Sequence, residues 1–146
     1  MYKFKDTRYG DMTGQTYISQ IDVEKSDLSS LEGSPTVVQR GFYCSKNKLT
    51  NLIGGPKIVG DVYACSNNKL TSLEGAPTEV GSVFYCDKNK NLKDPRGEII
   101  ARQIKAFQYI TDQGTFSFES IREEFESYKL GKYVKSKGFR TLLGIK

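Results

Sequence analysis

Apolar residues recur along this chain at a spacing too long for one helix or one strand. Leu28, Leu49 and Leu70 stand 21 residues apart, as do Leu31, Leu52 and Leu73, then Val38, Val59 and Val80, then Phe42, Tyr63 and Phe84. The same interval relates Pro35, Pro56 and Pro77, Cys44, Cys65 and Cys86, and Asn47, Asn68 and Asn89. A period of this size marks stacked supersecondary units that share one core. Within each unit, alternate residues of a strand face the same way. Phe42 with Cys44, Tyr63 with Cys65 and Phe84 with Cys86 are therefore predicted to point inward, and Tyr43, Ala64 and Tyr85 outward. The Pro-x-x-Val segment on the return leg is too short and too proline-rich for a helix. Each coil should hold one short strand and an extended or turn-like back.

A degraded unit precedes these three, with Ile21, Val23 and Ser26 in the columns of Phe42, Cys44 and Asn47. The asparagine column predicts an amide ladder, each side chain satisfying backbone groups left unpaired where the chain turns. The cysteines suit a narrow interior, since the thiol is small and commonly buried. Strand spacing alone permits a disulfide. Three thiols pointing the same way do not all pair, however, so a reduced interior column is expected, and the spacing does not resemble a zinc site. Gly54, Gly55 and Gly60 read as turn glycines, because no Gly-Lys-Ser/Thr follows them.

After the repeats the period changes. Asp94-Pro95 predicts a helix opening, and Ile100, Ile104, Phe107 and Thr111 keep helical spacing up to about Asp112-Gln113-Gly114. A second helix is predicted from about Ser117 to Gly131, with Phe118, Ile121, Phe125 and Tyr128 on one face and Glu119, Glu123, Glu124 and Glu126 solvated. Such a pair would cap the open end of the stack. The units are therefore 1–27 (N-terminal cap with the degraded repeat), 28–92 (repeats), 93–131 (two-helix cap) and 132–146 (basic tail).

Tyr63, Cys65, Asn68, Leu70 and Leu73 together resemble the leucine-rich repeat, L-x-x-L-x-L-x-x-N-x-L, with Gln39, Gly60 or Gly81 at the first Leu position as a departure. In length and composition the chain looks like the small leucine-rich repeat proteins of large tailed bacteriophages. The resemblance implies an α+β fold: a short leucine-rich-repeat solenoid with a curved parallel sheet of about three to four strands and a C-terminal helical cap. It further implies a non-enzymatic protein-protein interaction module that uses the concave face. A phage origin would make the partner a host protein, for instance an antiviral defence component.

Composition narrows the chemistry. There is no histidine, which removes the commonest general base and zinc ligand. No cofactor, metal or catalytic constellation is expected. The net charge of +5 is uneven: Lys129, Lys132, Lys135, Lys137, Arg140 and Lys146 place +6 in the last eighteen residues, leaving −1 for all that precedes them. No apolar run reaches the roughly 18 residues of a membrane span, and the start lacks a secretory pattern, so a cytoplasmic protein is expected. The expected partner-binding residues are Tyr43 and Tyr85 on the sheet face, with Lys46, Lys48, Lys69, Lys88 and Lys90 on its rim. Lys132, Tyr133, Lys135, Lys137 and Arg140 in the tail offer an alternative, binding to nucleic acid. A face of about four strands supplies near 250 Å², well short of the ~800 Å² a standard interface takes from each partner.

Overall fold

The structure, a computed structural model, describes residues 2–127. The repeats fold into successive coils that carry two short strands each. The first coil holds β1 (Thr16–Tyr17) and β2 (Ile21–Asp22), the second β3 (Val37–Val38) and β4 (Phe42–Tyr43). The third holds β5 (Ile58–Val59) and β6 (Tyr63–Ala64), the fourth β7 (Glu79–Val80) and β8 (Val83–Tyr85). Every neighbouring pair is parallel and steps by one repeat, so Ile21, Phe42, Tyr63 and Phe84 lie over one another. The degraded first unit is thus a true coil. The return leg, expected to be merely extended, forms a second sheet in the order β1-β3-β5-β7. The reason is that the Val38, Val59 and Val80 column needs a buried seat, and in-register stacking gives its backbone a ladder partner at every step.

Both leucine columns and the aromatic column are fully buried. Each leucine withdrawn from water stabilises the stack by roughly 1.5–3 kcal/mol. The aromatic rings form a continuous spine: Phe4 to Phe42 at 6.2 Å, Phe42 to Tyr63 at 5.6 Å, Tyr63 to Phe84 at 4.9 Å and Phe84 to Tyr109 at 4.5 Å between centroids. Backbone contact between coils explains the missing first leucine. A Cβ on Gly60 would lie 2.1 Å from the carbonyl oxygen of Gln39, and one on Gly81 the same distance from that of Gly60.

The C-terminal region departs from the expected helix pair. The first helix, α1, covers only Arg96–Ala101. Positive φ at Gln103 (53°) and Ala106 (64°) turns the chain out of helical geometry. There follow β9 (Gln108–Thr111) and β10 (Gly114–Ser117), an antiparallel hairpin around Asp112-Gln113. Strand β9 lies parallel on β8, with Phe84 opposite Tyr109. The front sheet therefore has six strands, in the order β10-β9-β8-β6-β4-β2, where three or four were expected. The open edge of β8 presents unpaired backbone groups, and the β-prone stretch from Gln108 to Thr111 satisfies them better than a helix could. Only then comes α2 (Phe118–Ser127), which buries Ile121 and reaches α1 through Arg96 and Glu124 at 3.1 Å. The expected continuation of this helix to Gly131 lies outside the described residues.

Candidate functional site

The front sheet turns one face to the core and the other to solvent. Its outward row runs Asp22, Tyr43, Ala64, Tyr85, Ile110 and Thr115 across six strands. Tyr43 and Tyr85 are half-buried, as is Ile110, while Ala64 is covered to 8% exposure between the two tyrosines. The outward placement of all three expected residues holds, although Ala64 contributes little surface. The Tyr43 ring lies across Gly41, where a Cβ would come within 2.5 Å of it. Half-buried Val62 and Val83 widen the apolar strip on one side. On the other side Ser45 and Ser66 are buried, and the Ser66 hydroxyl donates to Asp87 Oδ1. Sequence reasoning missed Ile110, having placed it on a helix. The alternation of buried Tyr109 with outward Ile110 beside the turn at Asp112-Gln113-Gly114 was the available signal.

Beyond the serines the chain turns, and the asparagine ladder lines the inside of the bend. Asn47 Oδ1 accepts the amides of Ser26 (3.0 Å) and Leu28 (2.9 Å), while its Nδ2 donates to the carbonyls of Val23 and Cys44. Asn68 donates to Cys44 and Cys65 and accepts from Leu49, and Asn89 repeats the pattern one coil on. Each amide thus ties its own turn to the coil before it. On the solvent side of the same bend stand the rim lysines. Lys46, Lys48, Lys69, Lys88 and Lys90 are all exposed, and Lys48 is paired with Asp27 at 2.6 Å. Lys25, one repeat before Lys46, belongs to the same column and was not among the expected residues. Lys69, Lys88 and Lys90 with Asn67 and Asn91 border a shallow hollow of ≈ 410 Å³.

The interior holds no reactive thiolate. Cys44, Cys65 and Cys86 are free and buried. Burial pushes the Cys44 thiol up to about 12 and raises those of Cys65 and Cys86. Burial likewise raises the hydroxyls of Tyr63 and Tyr109. Groups held neutral in this way are poor nucleophiles and poor metal ligands. Among the described residues no cluster of three or more His, Cys, Asp or Glu side chains could hold a metal ion, and no helix is long and apolar enough to cross a membrane. The tail residues Lys132, Tyr133, Lys135, Lys137 and Arg140 lie outside the described residues.

No protein-family model, curated protein or solved structure matches the chain. Fold and surface chemistry therefore carry the functional reading.

Proposed function

We propose that this protein is a non-enzymatic binding module that engages a protein partner through the outward face of its six-stranded sheet. The observation that supports this reading is the row Tyr43, Tyr85 and Ile110, apolar side chains held half-open on a backbone that the ladder hydrogen bonds keep rigid. Tyrosine brings a large contact area at little entropic cost and is enriched where proteins meet. The resemblance to small leucine-rich repeat proteins of tailed bacteriophages points to a host protein as that partner.

Area sets what the partner must do. Five gaps of ~4.8 Å between strands give a face about 24 Å across, and about 13 Å along the strands. Near 300 Å² results, against the ~800 Å² of a standard interface, so a partner must also reach the hairpin or the turns. The test is affinity capture from host extract with the wild-type chain and with Tyr43→Ser/Tyr85→Ser, two changes that leave the core columns intact. A single protein retained by the wild type and lost by the variant is expected. Equal retention by both, or no retained protein while the circular dichroism spectrum is native, would overturn the reading.

A further inference from the structure

The turn edge carries a feature that stability does not explain. At the same place in four successive coils the backbone enters the left-handed region: Lys25 (φ 52°), Lys46 (59°), Asn67 (52°) and Lys88 (53°). Glycine and asparagine take this conformation cheaply, and other side chains do so under strain. Asn67 shows that asparagine fits the column. Lysine nevertheless occupies three of the four places, exposed in each. Strain kept at an exposed position is a pointer to function. Two residues further on, Lys48, Lys69 and Lys90 form a parallel column of the same charge.

Stacking converts these columns into a line of charge. Successive coils are ~4.8 Å apart, so Lys48 to Lys90 covers about 10 Å along the solenoid axis. Lys48 is paired with Asp27; Lys25, Lys46, Lys69, Lys88 and Lys90 are the other exposed positive charges along the edge, Lys25 at its far end. Asp87 accepts from the Ser66 hydroxyl and Asp112 accepts the Lys88 backbone amide, so both carboxylates are bonded to groups other than the lysine ammoniums. The hollow that Lys69, Lys88 and Lys90 border is otherwise lined by asparagine, with no apolar anchor. Protein interfaces are depleted in lysine and built around aromatic or apolar anchors. A linear row of ammonium groups beside amide donors suits a linear polyanion, whose phosphates it can follow without reading bases.

We propose that this edge is a second binding site, separate from the tyrosine face, at which Lys46, Lys69, Lys88 and Lys90 hold the phosphates of single-stranded nucleic acid laid along the solenoid axis. The site does not depend on the protein-partner reading, since it shares no side chain with Tyr43, Tyr85 or Ile110.

The experiment is fluorescence anisotropy of a labelled oligothymidylate of about 20 nucleotides, longer than the site of one small binding domain, titrated with the full chain at several salt concentrations. The key variant, Lys46→Asn/Lys88→Asn, removes two charges and at the same time relieves two strained residues. The matched control, Lys57→Gln/Lys105→Gln, removes two exposed lysines outside this edge. For Lys46→Asn/Lys88→Asn the dependence of log K on log salt should be shallower by about 1.4, at about 0.7 per lysine on a single strand, with affinity at low salt reduced more than about tenfold. Its melting temperature should rise, which excludes misfolding as the cause. The control should bind as the wild type does. Absence of binding at low salt, an equal loss in both pairs, or displacement of the oligonucleotide by oligoglutamate of equal charge would each overturn the assignment.

Discussion

Asp112 accepts the backbone amide of Lys88 through Oδ2 at 2.7 Å. In the preceding coils the equivalent amides of Lys25, Lys46 and Asn67 donate to main-chain carbonyls of the following coil, those of Ser45, Ser66 and Asp87. Past the fourth coil the register runs on to Asp112 beyond the end of β9, and there the side-chain carboxylate takes the place of the main-chain carbonyl. Glu98 does the same for Leu73, whose amide it accepts at 2.6 Å where Leu52 one coil earlier meets the carbonyl of Glu74. At the other end the Tyr9 hydroxyl accepts the amide of Asp22 at 3.2 Å. A solenoid cut at either end exposes unpaired ladder groups, and here side chains complete them.

Replacing Asp112 with alanine should therefore loosen the last turn. The site is exposed, so water partly compensates, and the expected loss is about 1 kcal/mol in urea unfolding. Asp112→Asn keeps an acceptor and should lose less. Equal stabilities for wild type and Asp112→Ala would show that the side chain closes nothing.

The asparagine ladder is the stronger tie, because both ends of each amide are buried. Asn68→Ala strands the buried amide of Leu49 and takes one of two amide donors from each of the carbonyls of Cys44 and Cys65, which keep Asn47 and Asn89. A cost of about 1–3 kcal/mol is expected for leaving such groups unsatisfied. The neighbour Asn67 is exposed with φ at 52°, so Asn67→Gly preserves the backbone and should change stability by a few tenths of a kcal/mol. Chemical denaturation of the two variants side by side decides the matter; similar midpoints would mean that the ladder is ornamental.

The repeat was legible because 21-residue identity and parallel register are the same fact: Phe42, Tyr63 and Phe84 coincide in sequence and lie over one another in space. Even the worn first coil could be found from Ile21 and Val23. What lies past Leu92 has no repeat to lean on. Ile100, Ile104 and Phe107 do fall at helical intervals, and Ile104 and Phe107 are buried, yet they bury as part of a connection into β9. The deciding term was the unsatisfied edge of β8, a tertiary demand that local spacing does not display. For the candidate site, the outward positions of Tyr43 and Tyr85 followed from strand alternation alone. The left-handed lysines did not, since nothing in the identity of Lys46 or Lys88 announces a positive φ.

Close contact between coils makes some glycines irreplaceable. Gly75 has φ at 87°, and a Cβ there would meet the Leu52 carbonyl carbon and the Ile53 nitrogen at 2.3 Å. Backbone of the preceding coil has no room to move aside. Gly14 has φ at 78° with nothing within 4 Å. Gly75→Ala should cost more than about 3 kcal/mol, whereas Gly14→Ala should cost about 1 kcal/mol for strain alone. Thermal unfolding that ranks the two in the opposite order would refute stacking at this distance.

The buried thiols give the fold a dependence on alkaline pH whose sign is fixed. Burial raises all three, Cys44 to about 12, so the folded chain keeps these protons where an unfolded chain, with thiols near 8.5, has released them. Above about pH 9 the unfolded state binds fewer protons, and stability must fall as pH rises. Each thiol contributes a loss of about 1.4 kcal/mol per pH unit, so three give about 4 kcal/mol per unit until the folded-state thiols themselves ionise. Urea midpoints measured between pH 8 and pH 10.5 should drop steeply, and Cys65→Ala, compared with its own value at pH 8, should drop by about a third less. A thiol reagent should label none of the three in the native state at pH 8 and all three in urea. Rapid native labelling, or stability indifferent to pH across that window, would place the thiols somewhere other than inside the coils.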